Sequence, residues 1–143
     1  MRASKHVALV AHDAKKDELI DWVRTNSDKL QKHVFWSTGT TGKRIKEACP
    51  SLNLTALKSG PLGGDQQLGA RIADGEIDIL IFFVDPLSPM PHDVDIKALT
   101  RLSTLYNVAM ATNRATADFM IASPLFNQAY DAPTGGGNGE PGS

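Results

Sequence analysis

The 143-residue sequence has little net charge, no long apolar run and almost no cysteine. Its formal net charge of −1 gives the whole molecule no bias toward nucleic acid or an anionic membrane. None of its apolar runs approaches the roughly 20 residues of a membrane span, and the first, residues 7–11, is too short for the core of a signal peptide. Cys49 stands alone, which excludes an internal disulfide. These absences predict a cytoplasmic protein without nucleic-acid or membrane partners.

The sequence does contain a regular alternation of strand and helix patterns. Strand patterns cover residues 5–11, 33–37, 54–58, 79–84 and 108–112. Helical patterns cover residues 15–31, 43–49, 66–74, 93–107 and 116–122. This alternation predicts one doubly wound α/β domain over residues 1–131, Rossmann-like or flavodoxin-like, with about five parallel strands. Residues 132–143 are rich in glycine and are predicted to form a disordered tail.

The most informative stretch is SGPLGGDQQ, residues 59–67, between a predicted strand and a predicted helix. Its glycines let the backbone approach a ligand closely, and a helix that begins there points free amide groups at an anion. Asp65 adds a carboxylate to that anion site. The combination suggests proton abstraction from a phosphorylated substrate. The alternative is a glycine-rich turn in which Asp65 only caps the helix.

Three other polar clusters also follow predicted strands: His12-Asp13, residues 38–42 and residues 85–95. In a parallel sheet the carboxyl ends of the strands meet at one edge, so the four clusters are expected to converge there. The TGTTG run at residues 38–42 suits a phosphate, although it is not a Walker motif and an ordinary capped helix start is the alternative. Lys16 could reach the same anion, or it could be a solvated lysine.

His92, in a proline-rich loop, is the best candidate for stabilising an oxyanion, because a neutral imidazole can donate a hydrogen bond there. A packing role is the alternative for this histidine. Asp95 either orients His92 or only stabilises a helix start. A metal site built from the His-Asp pairs is disfavoured, since metal-dependent phosphohydrolases with such pairs are all-helical and catalytic metal ligands are more tightly spaced.

Five segments, taken together and in order, resemble the methylglyoxal synthase family. They are HVALVAHDAKK, TGTTGKRI, SGPLGGDQQLGARIADGEIDILIFF, DPLSPMPHDVDIKALTRL and ATNRATADF. The resemblance covers about residues 5–126, and GPLGGDQQ with the spacing DP-x5-H-x-x-D is its most specific part. It implies a cytosolic, metal-independent lyase without a cofactor that converts dihydroxyacetone phosphate to methylglyoxal and inorganic phosphate. It also implies a homohexamer, with inorganic phosphate as product and candidate inhibitor.

Carried onto this sequence, the resemblance places the general base of the family at Asp65 and its histidine at the substrate oxygens at His92. Asp13 and Asp95 match acids that support the catalytic site. The phosphate and substrate contacts of the family fall on His12, Lys16, Thr38, Gly39, Thr40, Thr41, Ser59 and Gly60. The implied reaction runs through an enediolate that expels phosphate.

The sequence departs from the family in one respect, because it contains no Lys or Arg after Arg114. Relatives can continue with a C-terminal segment whose basic residues reach the phosphate site of a neighbouring subunit. Phosphate contacts or regulation that depend on such a segment are therefore in question here. The alternative function is a non-catalytic regulatory module that binds phosphorylated metabolites, as at the end of carbamoyl phosphate synthetase. A third reading is a triose phosphate isomerase-like activity that retains the phosphate.

Overall fold

Five parallel strands form one sheet in the computed structural model, which describes residues 1–87 and 96–131. The strands are β1 (His6–Ala11), β2 (Val34–Thr38), β3 (Asn53–Leu57), β4 (Ile79–Phe83) and β5 (Ala109–Ala111). Their order across the sheet is β3-β2-β1-β4-β5, with every neighbouring pair parallel. The chain therefore winds outward from β1 in both directions, which confirms the predicted doubly wound α/β fold.

Helices cover both faces of this sheet. They are α1 (Lys16–Thr25), α2 (Ser27–Leu30), α3 (Gly39–Ala48), α4 (Gly64–Ala73), α5 (Ile96–Leu105) and α6 (Arg114–Ala122). Short 3₁₀ turns occupy Asp13–Lys15, Gly60–Leu62 and Pro124–Asn127. Apolar residues of α1, α3 and α6 pack on one face, and those of α4 and α5 pack on the other. None of the helices in these two ranges is long and apolar enough to cross a membrane.

Strand β4 lies in the interior of the sheet and is buried along its whole length. Its side chains alternate between the two faces: Ile79, Ile81 and Phe83 join one core cluster, whereas Leu80 and Phe82 join the other. This arrangement is the reason that the segment reads as an unbroken apolar run, as predicted for a parallel strand covered on both sides.

Two predicted helices differ most from the structure. The helix predicted over residues 15–31 is interrupted at Asn26, whose side-chain amide donates to the Trp22 carbonyl oxygen at 2.9 Å. An asparagine that bonds to the backbone in this way competes with the helix itself. The third helix begins at Gly39 rather than at residue 43. The TGTTG run is therefore mostly the first turn of α3 and not a loop that precedes the helix.

Helix α5 faces the core through fewer residues than its apolar spacing would allow. Leu99 and Ser103, one turn apart, are its buried positions, and Leu102 is partly buried. Leu105 and Tyr106 continue the apolar spacing but are 69% and 45% exposed. The helix ends at Leu105, and Asn107 adopts φ +57° two residues later. Residues 93–95 of the predicted helix lie outside the described residues.

At the amino edge of the sheet, hydrogen bonds join the segment 123–131 to the beginning of the chain. The Met1 α-ammonium donates to the Tyr130 carbonyl oxygen at 2.6 Å, and the Tyr130 N–H donates to the Met1 carbonyl oxygen at 2.9 Å. The buried Lys5 ammonium donates to the carbonyl oxygens of Arg2 and Gln128. Burial lowers the pKa of Lys5, against the opposing charge of Asp78.

His33, a buried and neutral imidazole, also contacts both of these segments. Its Nδ1 accepts the Lys5 N–H at 2.8 Å, so its proton lies on Nε2, which donates to Asn127 Oδ1 at 3.0 Å. Its ring lies 4.1 Å from that of Phe126, centroid to centroid. Burial lowers the pKa of His33, and the charges of Lys5 and Lys32 lower it further, although the Asn127 bond opposes them.

The lowered pKa of His33 predicts a loss of stability in mild acid. The unfolded chain takes up a proton at this residue near pH 6.5, whereas the folded chain keeps it neutral to a lower pH. The free energy of unfolding should therefore fall as the pH drops below 6.5, and this loss should be smaller in His33→Gln, which has no titrating group. Urea unfolding at pH 7.5 and pH 5.0 measures both. Equal losses in the two proteins would contradict the assignment.

Candidate active site

The carboxyl edge of the sheet brings together most of the polar residues that the sequence singled out. His12 follows β1, Thr38 ends β2, Ser59 follows β3 and Asp85 follows β4. Because all these strands are parallel and in register with their neighbours, their carboxyl ends share one edge. Contacts between the segments that leave the strands then build the site.

A candidate anion site lies where α1 and α3 begin. Lys16 is the first residue of α1, and its ammonium is 2.8 Å from Asp13 Oδ1 and donates to Thr40 Oγ1 at 3.2 Å. Thr40 and Thr41 lie in the first turn of α3, where backbone N–H groups have no acceptor within the helix. An ammonium, a hydroxyl and helix-terminal amides are a donor set that suits a phosphate.

The first turn of α3 touches the segment after β3 directly through backbone. The Gly39 N–H donates to the Lys58 carbonyl oxygen at 3.2 Å. A Cβ atom on Gly39 would lie 3.1 Å from both Cα and Cβ of Ser59, and Gly39 adopts φ +56°. Only glycine fits both this backbone conformation and this spacing without strain. Gly39 and Ser59, predicted to contact the same phosphate, are therefore neighbours in space.

Asp65 lies beside this same segment. It is the second residue of α4, which starts at Gly64 after a 3₁₀ turn over Gly60–Leu62. A Cβ atom built on Gly60 would lie 3.1 Å from Asp65 Oδ1, so the carboxylate lies directly against the Gly60 backbone. Asp65 is half-buried. The structure thus places a carboxylate next to the residues that the sequence assigned to phosphate.

His12 is held in one neutral form by the segment after β4. Its Nδ1 accepts the Asp85 backbone N–H at 2.9 Å, which leaves the proton of the neutral ring on Nε2. The His12 N–H donates to the Phe83 carbonyl oxygen at 3.1 Å, and its ring packs edge-on against Phe82 with centroids 5.0 Å apart. These contacts fix both the position and the tautomer of a buried histidine at the edge of the site.

Of the other predicted site residues, the structure describes Thr38 and Thr41 but not His92 and Asp95. Thr38 and Thr41 are 6% and 2% exposed, so their side chains lie beneath the surface of the anion site. His92 and Asp95 lie outside the described residues. Within residues 1–87 and 96–131, no group of three or more His, Cys, Asp or Glu side chains could hold a metal ion.

Sequence reasoning missed two residues that shape the site. Gly64 packs so tightly that a Cβ atom there would lie 2.0 Å from the Lys58 carbonyl oxygen. Gln67 sends its side chain back from α4, and its Oε1 accepts the Lys58 N–H at 2.9 Å. The paired glycines at 63 and 64 were a signal for close backbone approach, but no pattern in the sequence indicates the partner of Gln67.

Comparison with known proteins agrees with this fold. Residues 18–112 match the family model described as the MGS-like domain. The methylglyoxal synthase of Rhizobium rhizogenes is 60% identical over 121 residues, which cover 85% of this chain and 96% of that protein. The methylglyoxal synthase of Erwinia tasmaniensis is 56% identical over 128 residues, covering 90% and 84%. The crystal structure of methylglyoxal synthase from Elizabethkingia anophelis superposes with a TM-score of 0.89 at 50% identity, covering 93% of this chain and 87% of that one.

The contact between Gly64 and Lys58 predicts that Gly64→Ala disrupts the site. A methyl group 2.0 Å from a backbone oxygen forces the two segments apart, and we expect a loss of about 3 kcal/mol or more in the free energy of unfolding. Gly69→Ala on the same helix is the matched control, because its Cβ would be 3.1 Å from Leu102 Cδ1, the end of a side chain that can shift. Urea unfolding compares the two. A Gly64→Ala protein as stable as Gly69→Ala would refute the tight contact.

Proposed function

The chain belongs to the methylglyoxal synthase family, and we propose that it converts dihydroxyacetone phosphate into methylglyoxal and inorganic phosphate. The reaction makes it a carbon–oxygen lyase. The observation that carries this proposal is the position of the Asp65 carboxylate against Gly60, beside an anion site. A base next to a phosphate site is what proton abstraction from a phosphorylated carbonyl compound requires.

In this proposal the phosphate of the substrate binds across the two segments joined by Gly39 and Ser59. Lys16, the Thr40 hydroxyl and the first-turn amides of α3 supply donors on one side. Ser59 and Gly60 supply donors on the other side, with Thr38 and Thr41 supporting the turn from below. Asp13 holds the Lys16 ammonium in place through the 2.8 Å ion pair. One ammonium group, the Thr40 hydroxyl and several fixed amides orient the substrate before any bond changes.

Asp65 then removes a proton from the hydroxymethyl carbon beside the carbonyl group. The electron pair of the broken carbon–hydrogen bond forms a carbon–carbon double bond, and negative charge moves to the carbonyl oxygen. A carboxylate is a weak base for a carbon acid, so hydrogen bonds to that oxygen must contribute strongly. One such donor contributes roughly 3 to 4 kcal/mol in other enzymes. We assign this role to His92, oriented by Asp95, and we assign a substrate contact to His12.

The enediolate next expels phosphate. The hydroxyl group on the deprotonated carbon passes its proton to the oxyanion and becomes an aldehyde carbonyl. The double bond then shifts to the phosphate-bearing carbon, and the carbon–oxygen bond to phosphate breaks with its electrons on phosphate. This step requires the breaking bond to stand out of the enediolate plane, so the segments that hold the phosphate determine whether elimination occurs. Lys16 neutralises part of the charge on the departing phosphate. The enol that remains becomes methylglyoxal without further catalysis.

We further propose that the enzyme works in the cytoplasm and needs neither metal nor cofactor. A phosphorylated triose is an anion that does not cross a lipid bilayer unaided, so enzyme and substrate must share a compartment. Proton transfer and elimination are both within the chemistry of the side chains named above. The catalytic domain in this proposal spans residues 1–131, consistent with the pairing of Met1 and Tyr130.

Asp65→Asn is expected to abolish turnover, because an amide cannot accept the proton, while phosphate binding is largely retained. The assay incubates each protein with dihydroxyacetone phosphate and EDTA and measures methylglyoxal and inorganic phosphate together. Wild type should release both in equal amounts. Asp74→Asn, at the exposed end of the same helix, is the control and should behave as wild type.

Other results of this assay would identify a different function. Substantial activity in Asp65→Asn would remove Asp65 as the base. Phosphate binding by wild type without any product would indicate the regulatory module instead. Glyceraldehyde 3-phosphate in place of methylglyoxal would indicate an isomerase.

We also propose that the chain assembles as a homohexamer. Support comes from large apolar side chains that a single subunit leaves exposed, among them Leu62 at 72%, Leu87 at 90% and Phe119 at 82%. Such side chains are typical of surfaces that a partner covers. Light scattering should give the mass of six copies of the 15.4 kDa chain. Phe119→Glu should lower this mass, whereas Thr116→Glu on the same helix should not; a monomeric wild type would refute the proposal.

A further inference from the structure

The backbone of Lys58 connects three parts of the candidate site. Its N–H donates to Gln67 Oε1 at 2.9 Å, and its carbonyl oxygen accepts the Gly39 N–H at 3.2 Å. The next residue, Ser59, accepts the Gly64 N–H at 2.8 Å on its own carbonyl oxygen. The first turns of α3 and α4 are therefore both bonded to the end of β3, and every bond in this set involves the backbone of Lys58 or Ser59.

Gln67 is the one side chain in this set. Its own backbone is fixed in α4, since its N–H donates to the Gly63 carbonyl oxygen at 3.0 Å and its carbonyl oxygen accepts Arg71 Nη1 at 3.2 Å. Its side chain leaves the helix and reaches back to Lys58. The amide therefore ties the helix that carries Asp65 to the strand end that carries Ser59.

The side chains of Gln67 and Asp65 contact different residues of the segment after β3. The Gln67 side-chain oxygen accepts the Lys58 N–H, whereas the Asp65 carboxylate lies against Gly60. We therefore assign Gln67 an effect on the reaction through the backbone that it holds in place. The backbone that it holds belongs to the segment expected to bind the phosphate.

We propose that Gln67 is a positioning residue that fixes the distance between Asp65 and the phosphate-binding segments, and that it thereby favours expulsion of phosphate from the enediolate over return of the proton. This inference rests on the proposed function. Return of a proton from Asp65 places no demand on the orientation of the phosphate, whereas elimination requires the breaking bond to be aligned with the double bond. A displacement of about 1 Å can cost roughly a hundredfold in such an aligned step.

The test measures how the enediolate divides between its two fates. Each protein is incubated with dihydroxyacetone phosphate in D2O, and the deuterium gained by the recovered triose phosphate is compared with the methylglyoxal formed. Gln67→Met has nearly the same length but no acceptor for the Lys58 N–H, and it should raise this ratio about tenfold or more. It should also weaken the inhibition of the reaction by inorganic phosphate.

Two variants serve as controls. Gln67→Glu retains an acceptor oxygen at the same reach and should keep the ratio within about twofold of wild type. Gln66→Met changes the exposed neighbouring glutamine and should leave the ratio unchanged. The ratio does not depend on how many enzyme molecules are active, so a role limited to stability would lower the rate without moving it. Should Gln67→Met not fold, Gln67→Asn, one methylene too short to reach Lys58, is measured instead.

The outcomes separate this inference from the proposed function. A wild type that forms no methylglyoxal would overturn the proposed function. A wild type that forms it, with an unchanged ratio in Gln67→Met or Gln67→Asn, would overturn only the role of Gln67. A Gln67→Glu protein as altered as Gln67→Met would also overturn it, because the hydrogen-bond acceptor would not be what matters.

Discussion

Parallel pairing around β1 is the constraint on which the candidate site depends. β1 pairs with β2 and β4, in register from Val7 to Leu9 on both sides, so the chain must leave all three strands at one edge of the sheet. Residues far apart in sequence, such as His12 and Asp85, then come within hydrogen-bond distance, and the Asp85 N–H donates to His12 Nδ1. The side chains of β4 alternate between the two core clusters, and this alternation keeps the register. A slip of one residue would move each side chain to the opposite face of the sheet.

At that edge, three glycines allow neighbouring segments to approach closely. Gly39 approaches Ser59, Gly60 approaches Asp65, and Gly64 approaches Lys58, each at a distance that leaves little or no room for a side chain. Backbone groups lose little freedom on binding and do not change rotamer, so they hold an anion with little reorganisation. In the proposed function, a phosphate-binding surface made in this way leaves two nearby side chains for the chemistry: Lys16 supplies charge and Asp65 accepts a proton.

Much of this arrangement could be predicted from the sequence, because periodicity and turn chemistry are local. The buried apolar run at β4 indicated a parallel sheet covered on both sides. The glycines before Asp65 indicated close backbone contact near its carboxylate. What could not be predicted depends on tertiary packing. The first turn of α3 starts at Gly39 because that residue fits against Ser59, and Leu105 is exposed because α5 packs through Leu99 and Ser103. The hydrogen bond from the Lys58 N–H to Gln67 likewise follows from no periodicity in the sequence.

The hydrogen bonds between Met1 and Tyr130 have a practical consequence for recombinant protein. The α-ammonium of Met1 donates both to the Tyr130 carbonyl oxygen and to Asp131, and a charged donor forms stronger bonds than a neutral one. An affinity tag fused before Met1 turns that ammonium into a peptide amide with a single hydrogen and no charge. Such a tag would therefore leave one neutral donor for two acceptors, so an untagged chain is the appropriate material for stability measurements.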